Sequence, residues 1–110
     1  MRLSKNEKAW LRAYRNELTE AHPPQVERML IYGSKARGEA GPDSDLDVLL
    51  IVRNEAAGQK RHLRRIGYLL AAESDVVPSI LAYTVDEWEK RKQSGSPFRR
   101  SVEKDKVQVL

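Results

Sequence analysis

Trp10, Leu11, Tyr14 and Leu18 recur at intervals of three and four among Lys, Arg and Glu, the pattern of a helix with one apolar stripe. Ser4 with Glu7 three positions later forms a capping box at its start. Pro23 and Pro24 end it by Ala21 or His22, because proline lacks the N–H a helix needs and biases its predecessor toward extended geometry. After the prolines the apolar positions become contiguous. Val26 to Tyr32 and Leu46 to Val52 are short runs rich in β-branched or bulky residues, and both predict buried strands. Ser34 to Ser44 between them, with Gly38, Gly41 and Pro42, has room for one helical turn and a loop but not for a crossover helix.

Helical spacing returns from Gln59 to Ala72, where Leu63, Ile66, Leu69 and Leu70 face one way and Gly67 weakens the helix. Val76 to Tyr83 predicts a third strand, in which Pro78 is tolerated only at an edge or bulge. Thr84 and Glu87 form a second capping box, opening a helix to about Gln93 that Ser94 to Pro97 breaks. One more helical turn near Phe98 to Glu103 and a short strand at Val107 to Leu110 complete the reading. The expectation is one α/β (α+β) domain over residues 1–110, a small mixed sheet flanked by helices.

Composition narrows the chemistry. The 110 residues contain no cysteine, which excludes disulfides, thiolate metal sites and cysteine nucleophiles. No stretch approaches the ~18 apolar residues of a membrane span or forms a signal peptide, so a cytoplasmic protein is expected. His22 and His62 have no partners at metal-ligand spacing. The formal charge of +4 divides unevenly: Glu39 to Val52 holds four acids and no Lys or Arg, leaving +8 on the rest. An acidic pocket in a cationic body suits nucleotide and metal better than generic nucleic-acid binding. The basic clusters at Lys60 to Arg65, Lys90 to Lys92 and Arg99–Arg100 lack interleaved aromatics, so direct nucleic-acid recognition is not expected.

The candidate chemistry lies between Tyr32 and Val48. Gly33 and Ser34 stand at a strand-to-helix junction, where free backbone N–H groups favour an anion such as phosphate. Gly33 and Gly38 have the glycine spacing of a Walker A loop, but Glu39 and Ala40 occupy the positions that need lysine and a hydroxyl. Ser34 is not in a nucleophile-elbow context. Asp45 and Asp47 are two apart on a strand, so their carboxylates share a face and can hold Mg²⁺ through hard oxygen atoms.

Gly33-Ser34, ten intervening residues and Asp45-Leu46-Asp47 together resemble the signature of the DNA polymerase beta-type nucleotidyltransferase superfamily. Gly33-Ser-Lys-Ala-Arg-Gly with Ser44-Asp45-Leu46-Asp47 is similar to its minimal, single-domain (MNT) branch. The resemblance implies Mg²⁺-dependent transfer of AMP from ATP to a hydroxyl, with release of pyrophosphate. It implies Gly33, Ser34 and Arg37 as nucleotide contacts, and Asp45 and Asp47 as catalytic metal ligands. The third carboxylate of the family, on a later strand, is assigned to Asp75 at the opening of the third strand, with Glu73 two residues before it as the alternative. It further implies a small helical HEPN-type partner protein in a toxin–antitoxin pair, with this chain as the antitoxin. A non-catalytic binding module on the same fold is the competing reading.

Overall fold

The computed structural model describes every residue except His22, Ala40, Pro42 and Asp43. His22, the later of the two expected ends of the first helix, and part of the loop before Ser44 therefore lie outside the described residues, and the helix ends before them, at Thr19, as the prolines require. The first helix, α1 (Lys5–Thr19), begins at the expected capping box: the Ser4 N–H donates to Glu7 Oε1 at 2.8 Å and the Glu7 N–H to Ser4 Oγ at 3.1 Å. Strand β1 (Val26–Tyr32) runs into a five-residue helix, α2 (Gly33–Arg37), and strand β2 (Leu46–Val52) returns antiparallel to β1. Helix α3 (Lys60–Ala71) is preceded by a 3₁₀ segment, Asn54–Gln59, which the spacing of apolar residues did not predict because none of its residues is buried.

Strand β3 (Pro78–Thr84) is parallel to β2, and helices α4 (Val85–Gln93) and α5 (Pro97–Asp105) follow. The short β4 (Val107–Gln108) closes the sheet beside β1, giving the order β3-β2-β1-β4. This is the expected mixed α/β architecture. Three boundaries differ from the sequence reading. β3 starts at Pro78 rather than Val76, so Asp75 lies in the turn before it and does not open the strand. α5 is nine residues rather than one turn, because Ser96 accepts from the Arg99 N–H and Pro97 occupies its first turn. β4 is only two residues long, although the Met29 N–H still donates to Leu110 O at 3.1 Å beyond it.

The strong strands are explained by burial on both faces. Leu46, Val48, Leu50 and Val52 pack with Trp10, Tyr14 and Leu63 from α1 and α3. Leu49 and Ile51 pack with Leu30, Trp88 and Val102 on the face of α4 and α5. β3 is an edge strand, as Pro78 requires, and its outer side is blunted further: the Ile80 N–H donates to Tyr68 Oη at 2.9 Å and the Thr84 N–H to Glu87 Oε1 at 2.8 Å. No helix among the described residues is long and apolar enough to cross a membrane.

Gly67 has a different role from the one its helix propensity suggests. Its carbonyl accepts from Trp10 Nε1 at 2.9 Å, and a Cβ there would lie 2.6 Å from Ile80 Cδ1 and 2.7 Å from the Tyr14 ring. Tyr14 cannot yield easily, because its hydroxyl donates to Leu63 O at 2.7 Å. Gly67→Ala is therefore expected to destabilise by about 1–3 kcal/mol of overpacking, against a helix-propensity gain of about 1 kcal/mol. Urea unfolding of the variant checks the net loss; an unchanged or raised midpoint would contradict the close α1–α3 contact.

Candidate functional site

The antiparallel pairing of β1 and β2 sets Tyr32 opposite Asp47, and the chain turns into α2 one residue later. Gly33 makes that turn with φ +75°, a conformation that costs a side-chain-bearing residue about 1–2 kcal/mol. A Cβ at Gly33 would also overlap the Asp47 carboxylate. The backbone of the Gly33-Ser34 turn and one of the two strand carboxylates are thus in direct apposition, and glycine is what admits the contact.

Asp45 stands one residue before β2 and Asp47 lies within it, near enough for their charges to repel, and their environments differ. Asp45 is exposed and Asp47 half-buried. Burial, followed by repulsion from Asp45, pushes the Asp47 carboxyl above its ordinary value, and the Arg37 guanidinium offsets this only in part. Tyr32 is pushed up to about 12, by burial first and then by the Asp47 charge. Its ring is held edge-on against Phe98 of α5 at 5.7 Å, which walls the aspartate on that side. A half-buried carboxylate beside a like charge is a group that a cation would stabilise.

The other expected site residues are distributed as follows. Ser34 is half-buried in the first turn of α2. Arg37 lies close enough to influence Asp47, yet its guanidinium is engaged by Glu39 at 3.0 Å and Asp105 at 2.7 Å. Asp75 lines a cavity of about 420 Å³ together with Asp45, Ser4, Lys35 and Val77. Glu73 lies further out, in an adjoining hollow that includes Asp75 and Asn6. Among the described residues, no group of three or more His, Cys, Asp or Glu side chains gathers to hold a metal. Asp45 and Asp47 remain as a two-carboxylate donor set. That fits Mg²⁺, which is usually held by one or two carboxylates with waters and substrate phosphates completing its shell.

The parallel β2–β3 register shows what faces the two aspartates. Asp47 pairs with Ser79, and the Leu46 N–H donates to Val77 O at 3.0 Å, which sets Val77 alongside Asp45. Val77 is 65% exposed, an apolar side chain at the mouth of an acidic site. Position 77, rather than 75, is where a strand acid would stand beside Asp45. Sequence inspection could not fix this, because the start of β3 sets the register and Val76-Val77 reads as strand.

Sequence inspection also missed the pair behind the turn. Lys35, buried in α2, reaches Glu7 of α1 at 2.9 Å, with both side chains under a tenth exposed. Burial alone would raise the Glu7 carboxyl, but the Ser4 backbone N–H and the Lys35 ammonium outweigh it and hold the group below its ordinary value. Glu7 was visible as a capping residue; nothing in the sequence connected it to position 35.

Residues 11–110 match a family model described as the nucleotidyltransferase domain. A comparison with curated proteins finds no match. Among solved structures, the fold is similar to the crystal structure of a Sulfolobus solfataricus protein assigned as a nucleotidyltransferase. The two are 22% identical with a TM-score of 0.55, over 93% of this chain and 78% of that one.

Proposed function

The chain belongs to the nucleotidyltransferase domain family, and from that membership we propose that it transfers AMP from ATP to a hydroxyl on a partner protein. The observation that carries the proposal is the apposition of the Gly33 backbone to the Asp47 carboxylate, a strand-to-helix turn of the kind that favours phosphate set against an acidic strand edge. In this reading Gly33 and Ser34 orient the terminal phosphates through backbone N–H groups at the start of α2. Asp45 and Asp47 hold Mg²⁺, which when bound neutralises the triphosphate and the departing pyrophosphate. Asp45 opens toward the cavity shared with Asp75, the side from which an acceptor would approach. The acceptor oxygen bonds to the α-phosphorus as the bond to the bridging oxygen breaks. The hydroxyl proton passes to a carboxylate lining that cavity, for which Asp75, not engaged by the metal in this reading, is suited.

The partner in this proposal is a small helical HEPN-type protein, and the chain acts as the antitoxin by modifying it. A second reading has an observation of its own. With Val77 and Ser79 rather than acids beside Asp45 and Asp47, the domain binds nucleotide and partner without efficient transfer. Incubation with ATP, Mg²⁺ and the product of the neighbouring gene, followed by intact-mass measurement, separates the two. One added AMP on the partner supports transfer, whereas a tight complex with unchanged masses supports the binding module.

Val77→Asp tests the architecture of the edge directly. The position is exposed, so the variant is expected to fold normally and to bind Mn²⁺ about tenfold more tightly by calorimetry, roughly 1.4 kcal/mol. Unchanged Mn²⁺ affinity would show that position 77 does not face the aspartates.

A further inference from the structure

A second charged concavity lies away from the acidic edge, between α4, α5 and β1. It has a volume of about 640 Å³, within the ~300–1,000 Å³ typical of small-ligand sites, and none of its lining residues belongs to the Gly33–Asp47 site. Seven of the ten lining residues are cationic, and the single carboxylate, Glu103, is already neutralised by Arg99 and Lys106. Such a density of like charge opposes folding unless something else offsets it.

Two of its arginines are fixed before any ligand arrives. Arg91 lies over the Tyr83 ring at 4.7 Å and the Phe98 ring at 5.8 Å. Arg99 is buried over the Trp88 ring at 4.7 Å, donates to the Trp88 carbonyl and to Glu103 at 3.2 Å, and lies 3.9 Å from Glu89, so it supplies charge rather than free donors. Arg28 of β1, half-buried, also lines the cavity. The rim carries exposed Arg100 and Lys104 of α5. The guanidinium of Arg91, held over two rings, with Arg28, Arg100 and lysines around it, matches the paired oxygens of phosphate groups. The aromatic rings nearby are covered by Arg91, which leaves no stacking platform for unpaired bases.

We propose that this cavity is a binding site for a compact ligand carrying two or more phosphate groups, separate from the nucleotidyl-transfer site and independent of divalent metal. Metal independence distinguishes it from the acidic edge, where Asp45 and Asp47 would repel a bare polyphosphate. The test is calorimetric titration of inorganic tripolyphosphate at low salt in excess chelator. The expected result is one site per chain, weakened at least tenfold in Arg100→Glu/Lys104→Glu and measurably in Arg100→Ala/Lys104→Ala. Both variants are expected to melt like the parent and to keep Mg²⁺–ATP binding. Absence of tripolyphosphate binding, or equal binding by parent and both variants, overturns the proposal. So does binding of an RNA oligomer or a polyglutamate peptide at these residues that tripolyphosphate does not displace, which would make the cavity a macromolecular docking surface instead.

Discussion

Asp47→Asn is expected to slow the proposed nucleotidyl transfer by about 10³-fold and at the same time to raise the melting temperature. The two effects share one cause. Asp47 is half-buried, faces Asp45, and has a carboxyl raised above its ordinary value by burial and by that neighbour. A carboxyl raised in the folded state contributes stability only at low pH, where it is protonated, and that contribution is lost as pH rises through its folded value. At neutral pH the ionised group therefore works against folding, and a neutral amide of the same shape removes the conflict. Function moves the other way: in the proposed reaction Asp47 holds the cation, and losing such a carboxylate costs several kcal/mol of transition-state stabilisation, on the order of 10³-fold in rate. Intact-mass assay of the partner and a thermal melt of the variant measure the two effects. A lower melting temperature would mean that Asp47 is held by partners that favour its charge.

The second large effect concerns stability. Lys35→Met leaves the Glu7 carboxylate buried without its cation, and breaking such a pair typically costs about 3–5 kcal/mol. The expected loss lies toward the lower end of that range, because the Ser4 N–H still donates to Glu7. Pairing it with Glu7→Leu, which removes both charges, is expected to recover most of the loss apart from the capping contribution. The pH dependence follows from the lowered Glu7 carboxyl. Its contribution is complete above the ordinary value of 4.5 and is lost as pH falls through the lower folded value. Urea midpoints of the parent should therefore fall as pH drops below 4.5, and Lys35→Met should flatten that decline. Parallel curves for the two proteins would show that the pair contributes nothing specific. Because α2 carries the Gly33-Ser34 turn, the same substitution is expected to weaken nucleotide binding as well.

The geometry of the candidate loop between β1 and β2 was legible because its signals are local. Gly33 at a strand end, a helix too short to cross over, and two aspartates at strand spacing each follow from a few adjacent residues, and the structure brings Gly33 and Asp47 into contact. Both capping boxes were legible for the same reason. Asp75 was placed at the opening of a strand because Val76 and Val77 have strand character, yet pairing with β2 begins at Pro78. Gly67 was read from helix propensity alone, when the approach of Tyr14 and Ile80 sets its value.

What the sequence by itself determined is the class of fold, the order of its elements and the position of the acidic edge, since hydrophobic period, caps and turn residues act within a few positions of one another. Only the tertiary structure decided which residues face that edge, that Lys35 meets Glu7 across 28 positions, and that basic side chains from β1, α4 and α5 surround one cavity. Strand register and helix packing are set by the joint burial of distant apolar surfaces. A shift of one residue leaves local propensity nearly unchanged while moving every side chain to the other face.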